Sequence, residues 1–247
     1  MIALANSGLA SEVNLSRADA SRIGQRIWQN ECGGTVAGLT SWNAGEDFAS
    51  LGIGHFIWYP KNQRGPFEES FPALVTVLSA HGATLPPVVK ENRDCPWNSR
   101  AQFQAAQNSA EMKQLRQFLA GTIDLQALFL VQRLENSLPK MLREAPPAER
   151  EHIAARFRAL AATRQGAYVM IDYVNFKGEG TLATERYHGE GWGLLQVLQN
   201  MRDSALDEFA ASAKTVLRRR VANSPPARGE ARWLKGWLSR VENYRAP

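Results

Sequence analysis

Apolar residues recur at helical spacing through most of this chain of 247 residues, and this pattern constrains the fold more than any other feature. One stretch interrupts it: residues 39–59 are rich in glycine and in β-favouring side chains, which predicts short strands and turns. The sequence therefore predicts a mainly α protein of the α+β type, whose only sheet is a small β-hairpin sheet within about residues 36–60. Helices are predicted at about 16–31, 72–82, 99–120, 122–143, 148–164, 192–220 and 230–244.

Composition and charge narrow the classes of function. Hydrophobic residues make up 44% of the chain. No apolar run approaches the ~20 residues that a membrane span needs. The formal charge of +5 predicts attraction to polyanions, which include nucleic acid, anionic lipid and the acidic polymers of bacterial walls. Charge alone does not choose among these partners.

The cysteines and the start of the chain are less informative. Cys32 and Cys95 lack metal-ligand spacing, and the sequence leaves open both a disulfide and two free thiols. No metal or other cofactor is predicted. The first residues have neither a basic segment nor a long apolar core, so no intact signal peptide is predicted, although Ala-Leu-Ala at 3–5 fits the remnant of one. We expect a periplasmic or secreted protein if a signal peptide has been removed.

Glu31 is the most informative single residue. It follows Ile27 by four positions and Ile23 by eight, which places its carboxyl on the apolar face at the C-terminal end of the first predicted helix. Apolar surroundings and the negative end of the helix dipole both disfavour an ionised carboxylate there. We therefore expect Glu31 to hold its proton well enough to act as a general acid near neutral pH. A frayed, solvated helix end is the alternative.

The stretch LTSWNAGEDFASLGIGH, residues 39–55, carries a family resemblance. It resembles the active-site hairpin of phage-type lysozymes, in which a Gly-Ile-Gly-His segment follows a catalytic glutamate at the end of the first helix. The resemblance implies that Glu31 is the acid, that the Ser50 hydroxyl orients water or substrate, and that His55 is a structural partner at the hairpin base. The glycines would let backbone approach a sugar chain closely, and the Trp42 ring could stack on a sugar.

Two later segments resemble the same family. YVNFKGEGT resembles its asparagine-containing segment, and NSPPARGEARWLKGWLSR resembles its final turn and tryptophan-rich helix. The likeness covers about residues 16–58 and 168–240, which implies one lysozyme-like domain, 1–247, with an extra helical and loop insertion at about 60–165. It also implies that one cleft contains Glu31, Ser50 and the segment 173–179, with Tyr173, Asn175 and Glu179 as substrate-binding residues. The polar, glycine-rich stretch ERYHGEGWG is either a surface loop or a cleft wall, and because it adjoins the Glu179 segment we expect Tyr187 to bind substrate as well.

One position departs from the family pattern. Where phage-type lysozymes hold a second catalytic aspartate, an alignment without gaps places Ala44. Asn43, Glu46 and Asp47 are near enough in sequence to reach that place, and Glu179 is a further candidate for the second carboxylate. Glycoside hydrolysis generally uses two carboxylates. Lytic transglycosylases of the same superfamily use a single glutamate, because a hydroxyl of the sugar closes an anhydro ring.

The sequence thus predicts a glycoside hydrolase that acts on an amino-sugar polymer. Chitosan is polycationic, so a chain with a charge of +5 favours peptidoglycan, whose stem peptides carry carboxylates, and a muramidase-like activity. The alternatives are a lytic transglycosylase, a chitosanase-like enzyme, and a non-catalytic lysozyme-fold protein that binds glycan or protein. We expect a monomer that binds cell-wall glycan, has no membrane span and does not bind nucleic acid.

Overall fold

The computed structural model describes residues 13, 15–65 and 67–245. These residues form two compact units. The amino-terminal unit runs from Ser16 to Gln132, and the carboxy-terminal unit contains the described residues from Arg133 onward together with Val13 and Leu15. The predictions of a single domain and of an insertion at about 60–165 stay predictions.

The first helix of the amino-terminal unit is α1 (Arg17–Cys32), close to the predicted range. It begins where Ser16 accepts a hydrogen bond from the backbone N–H of Asp19 at 3.1 Å, an N-cap that satisfies one of the open donors of the first turn. It ends at Gly33, whose φ of 61° lies in the left-handed region that glycine adopts without strain. Ile23 and Ile27 are buried on its inner face.

A three-stranded antiparallel sheet follows, in the order β1 (Thr40–Ser41), β2 (Ala49–Leu51), β3 (Phe56–Trp58). Ser50 pairs with Ser41 on one side and with Ile57 on the other. This confirms the small sheet predicted within residues 36–60.

Short helices and one long helix complete this part of the chain. They are α2 (Phe71–Ala80), α3 (Pro87–Lys90), α4 (Arg100–Ala105), α5 (Ala110–Gly121) and α6 (Ile123–Glu144). The helix predicted at 99–120 is therefore two helices, because Ser109 leaves the helical conformation and accepts a hydrogen bond from the N–H of Met112, which makes it the N-cap of α5. The boundary between the two units falls within α6.

The carboxy-terminal unit contains α7 (Arg150–Ala161), α8 (Arg164–Lys177), β4 (Arg186–Tyr187), β5 (Glu190–Gly191), α9 (Leu194–Asn200), α10 (Leu206–Asn223) and α11 (Ala231–Glu242). The helix α8 was not predicted. Its residues are buried on nearly every side, so the sequence lacks the polar face that marks an amphipathic helix.

Two predictions for this unit were wrong. The sheet at 36–60 is not the only one, because β4 and β5 form a second, two-stranded antiparallel sheet. Its turn residues His188 and Gly189 have φ values of 51° and 81°, and a two-residue hairpin turn of type I′ needs positive φ at both positions. The helix predicted at 192–220 is also broken, since the Asp203 carboxylate accepts a hydrogen bond from the N–H of Ala205 and replaces a helical backbone bond.

The described residues are 65% helical and 6% strand, which confirms the mainly α class with a small β-hairpin sheet. None of the helices in the described part of the chain combines the length and the apolar character needed to cross a membrane.

Candidate active site

Glu31 lies in the last turn of α1, where its side chain is 15% exposed. The apolar stripe that ends at Ile27 holds this turn against the core, because Ile27 is completely buried. The turn cannot continue as helix, since the N–H of Gly33 bonds back to the carbonyl of Trp28. A carboxyl group is thus held at the carbonyl end of a helix, partly covered by protein and still open to a ligand.

The β2–β3 turn, residues 52–55, packs against the end of α1. The thiol of Cys32 lies 3.5 Å from the carbonyl oxygen of Gly52, and Nδ1 of His55 lies 3.7 Å from Oε2 of Glu31. The latter distance exceeds that of a good hydrogen bond and is within the range of an ion pair. His55 has a φ of 50°, a conformation uncommon outside glycine. The helix end and the hairpin turn therefore place an imidazole beside the candidate acid.

A buried glutamine fixes this turn. Gln126 of α6 is fully buried, and its side-chain oxygen accepts a hydrogen bond from the N–H of Ile53 at 2.9 Å. Gly52 has a φ of 70°, and a Cβ at this position would lie 2.3 Å from the same glutamine oxygen. The structure thus supplies a different reason for Gly52 from the predicted close approach of a sugar. The glycine makes room for the side chain that holds the turn.

The loop between β1 and β2 carries two candidates for the second carboxylate, Glu46 and Asp47. Asn43 donates a hydrogen bond to Oε2 of Glu46 at 3.0 Å, and the Trp42 indole donates to the Glu46 backbone oxygen. Burial raises the pKa of Glu46, and the hydrogen bonds from Asn43 oppose that shift. Asp47 and Ala44 are exposed.

Trp42 and Ser50 are more enclosed than a substrate-contacting role suggests. Trp42 is 6% exposed, and its ring packs on Phe103 at a centroid distance of 5.7 Å. Ser50 is 3% exposed, in the central strand of the sheet. Their predicted roles in stacking on sugar and in orienting water stay predictions.

The predicted substrate-binding residues of the carboxy-terminal unit lie at and after the end of α8. Tyr173 is fully buried, and its hydroxyl donates to the backbone oxygen of Trp192 at 2.9 Å. Asn175 is half-buried. Glu179 is 6% exposed and forms an ion pair with Lys140 at 3.0 Å. Tyr173 and Glu179 therefore have structural partners within this unit.

Tyr187 belongs to a buried charge network that the sequence analysis missed. Its hydroxyl donates to the Glu230 carboxylate at 2.9 Å, and Arg220 and Arg228 donate to the same carboxylate. Burial would raise the pKa of Glu230, but the hydrogen bonds and charge of Arg220, with the bonds from Tyr187 and Arg228, lower it to about 2. Burial and the neighbouring Glu230 carboxylate raise the pKa of Tyr187.

A second missed network is centred on Asp172 of α8. This fully buried carboxylate accepts two hydrogen bonds from Arg240, at 2.9 and 2.8 Å, and a third from the hydroxyl of Tyr244. The signal in the sequence was an aspartate within the apolar run YVMIDYV, because acidic residues are rarely buried without a partner.

Neither thiol is a candidate nucleophile. Cys32 and Cys95 are buried and unpaired as a disulfide, and burial raises the pKa of each to about 12. Within the part of the chain that the structure describes, no group of three or more His, Cys, Asp or Glu side chains is placed to hold a metal ion.

Comparisons with protein-family models, with curated proteins and with solved structures found no match. Inference about function therefore depends on the geometry of these residues and on the motif resemblance.

Proposed function

We propose that this protein cleaves β-1,4 glycosidic bonds of an amino-sugar polymer, with peptidoglycan as its substrate and Glu31 as the general acid. One observation carries the proposal. The Glu31 side chain lies in the last turn of α1, is 15% exposed, and has its carboxyl 3.7 Å from the imidazole of His55, at the end of the SLGIGH segment. A partly covered carboxyl that a ligand can still reach meets the first requirement for protonating a leaving-group oxygen.

The neighbouring imidazole gives the acid a partner after proton transfer. Glu31 becomes a carboxylate when it protonates the glycosidic oxygen, and the His55 imidazole, 3.7 Å away, lies within ion-pair range of that carboxylate. The distance is too long for a strong hydrogen bond. His55 therefore does not take the place of the substrate oxygen, which must come within about 3 Å of the carboxyl.

The second step differs between two mechanisms. In hydrolysis a second carboxylate acts as nucleophile or as base for water. Glu46 and Asp47, on the β1–β2 loop, are the candidates within the amino-terminal unit. In a lytic transglycosylase a hydroxyl of the substrate performs this step. Ala44 at the position of the usual aspartate favours this second candidate function.

Peptidoglycan is favoured over chitosan on electrostatic grounds. The chain carries a formal charge of +5, which repels a polycationic glycan and attracts a wall polymer that carries carboxylates.

The test is lysis of purified cell walls, followed by turbidity, with Glu31→Gln. This change preserves shape and removes the acid, and loss of general acid catalysis costs about 10²- to 10⁴-fold in rate. We expect turnover to fall by at least ~100-fold. Glu111→Gln, on the exposed first turn of α5, is the matched control and should retain full activity.

The products separate the two mechanisms. Hydrolysis releases a reducing sugar end, whereas transglycosylation releases an anhydro sugar lighter by one water, and mass spectrometry distinguishes them. Full lytic activity in a folded Glu31→Gln variant would remove Glu31 from the mechanism. Binding of wall glycan without cleavage by the unaltered protein would instead support a non-catalytic lysozyme-fold protein.

A further inference from the structure

A basic pocket of about 480 Å³ lies in the amino-terminal unit, after strand β3. Its volume is within the range of small-ligand sites, about 300–1,000 Å³. Three cationic side chains and one acidic side chain line it, with one amide; the lining residues are Lys61, Asn62, Arg64, Arg93 and Asp94. None of these residues has a part in the proposed cleavage. We call it the basic pocket.

The walls of the basic pocket are tied to the core. The N–H of Cys95 donates to the carbonyl of Tyr59 at 2.9 Å, and the indole of Trp58 donates to the carbonyl of Arg93 at 3.1 Å. Trp58, Tyr59 and Cys95 are almost fully buried. The backbone of both walls is therefore positioned before any ligand arrives, which lowers the entropic cost of binding.

The cations of the pocket differ in what they already bind. Arg64 forms ion pairs with Glu69 and Asp94, so its charge is compensated. Lys61 and Arg93 form no ion pair with any residue that the structure describes, and both are exposed. Arg64 shares its single charge between two carboxylates, so the three cations and two carboxylates of this cluster leave one net positive charge, which favours an anionic ligand.

An apolar hollow of about 230 Å³ adjoins this charge. Arg93 lines both cavities, and the hollow's apolar lining comes from Trp58, Phe71, Val75 and Val89. Lys90 also lines the hollow, and it too has no ion pair within the described ranges. A ligand that fills both cavities would present a negative group beside a small apolar group.

We propose that the basic pocket binds a carboxylate-bearing peptide, and this inference rests on the proposed function, because stem peptides of the wall polymer have that chemistry. Lys61 and Arg93 pair with the carboxylates, and the guanidinium fork of Arg93 suits a planar carboxylate. The Asn62 amide is placed to bond a peptide group, and the apolar hollow accepts a methyl side chain such as that of alanine.

Calorimetric titration with a synthetic, sugar-free wall pentapeptide tests this proposal, because it requires no catalysis. We expect saturable binding by the unaltered protein and a loss of roughly tenfold in affinity for the double variant Lys61→Gln/Arg93→Gln, since hydrogen bonds to charged groups are the strong ones. Lys113→Gln, an exposed lysine on α5, is the matched control and should bind as tightly as the unaltered protein. A pentapeptide with amidated carboxyl groups should bind as weakly as the double variant binds the free acid.

Three outcomes would overturn the proposal: no binding of the pentapeptide, equal binding by the double variant, or tighter binding of inorganic phosphate or of an oligonucleotide at the same residues. The fate of the proposed function is read separately from the lytic assay. If Glu31→Gln keeps full lytic activity while the double variant loses the peptide, the assignment of the acid fails and the peptide site stands. If Glu31→Gln is inactive and the double variant binds normally, the reverse holds.

Discussion

Replacing Gly52 by alanine should destabilise the amino-terminal unit by more than the conformation of the residue alone explains. A φ of 70° costs an L-residue about 1–2 kcal/mol. The new Cβ would also lie 2.3 Å from the Gln126 oxygen and displace it from the Ile53 N–H. A buried N–H without a partner costs about 1–3 kcal/mol. The free energy of unfolding should therefore fall by about 2–5 kcal/mol.

Gly45→Ala supplies the matched control. Gly45 has a φ of 84°, and no atom lies within 4 Å of a Cβ built there. Its replacement should cost only the conformational part, about 1–2 kcal/mol. Urea unfolding compares the two variants, and hydrogen exchange of the Ile53 amide reports the lost bond directly. Equal destabilisation by both variants, with Ile53 still protected, would refute the role assigned to Gln126.

Three further predictions concern charged groups. The Glu230 pKa of about 2, against an ordinary 4.5, means that its ionisation contributes about 3 kcal/mol to stability above pH 4.5, which is lost as the pH falls toward 2. In urea unfolding, Glu230→Gln should be less stable at pH 7 and show a weaker loss in acid. Burial raises the pKa of Glu46, so the folded state holds that proton more tightly than the unfolded state and loses stability as the pH rises past 4.5. Glu46→Gln, which cannot ionise, should therefore gain stability relative to the unaltered protein between pH 4 and pH 7, measured by thermal unfolding. Ala44→Asp, at an exposed position, should raise the rate of wall hydrolysis and the share of reducing-end product; an unchanged rate would show that the missing aspartate is not limiting.

Local signals in the sequence predicted the fold well. Ser16 and Gly33 mark the ends of α1, and the glycine-rich stretch marks the sheet. The failures have identifiable causes. The helix α8 has no polar face to reveal its period, and the turn at His188 and Gly189 is a two-residue hairpin signal that was overlooked.

The candidate site was harder to predict from the sequence than the fold, because its supporting contacts join residues that are distant along the chain. Nothing local links Ile53 to Gln126, which are 73 positions apart, yet their hydrogen bond fixes the turn that carries His55. The Glu230 network joins β4, α10 and the segment before α11 in the same way. Such pairs depend on tertiary packing, which single-sequence patterns do not encode. The position of Glu31 in the last turn of α1 could be predicted because one helical period sufficed to place it, whereas its role as the acid stays a prediction.

The β1–β2 loop bears on which group would perform the second step of the proposed cleavage. A nucleophile or a base must be ionised when it acts, and burial raises the pKa of Glu46, which disfavours that form. Asp47 is exposed and bears no such penalty, but an exposed loop side chain is less precisely placed than one fixed by packing. Within the amino-terminal unit, neither Glu46 nor Asp47 is therefore positioned for catalysis as well as Glu31 is. The end of α1 and the turn held by Gln126 fix the surroundings of Glu31 together. This asymmetry is what a mechanism with a single carboxylate requires, and it makes the anhydro product the more informative of the two to measure.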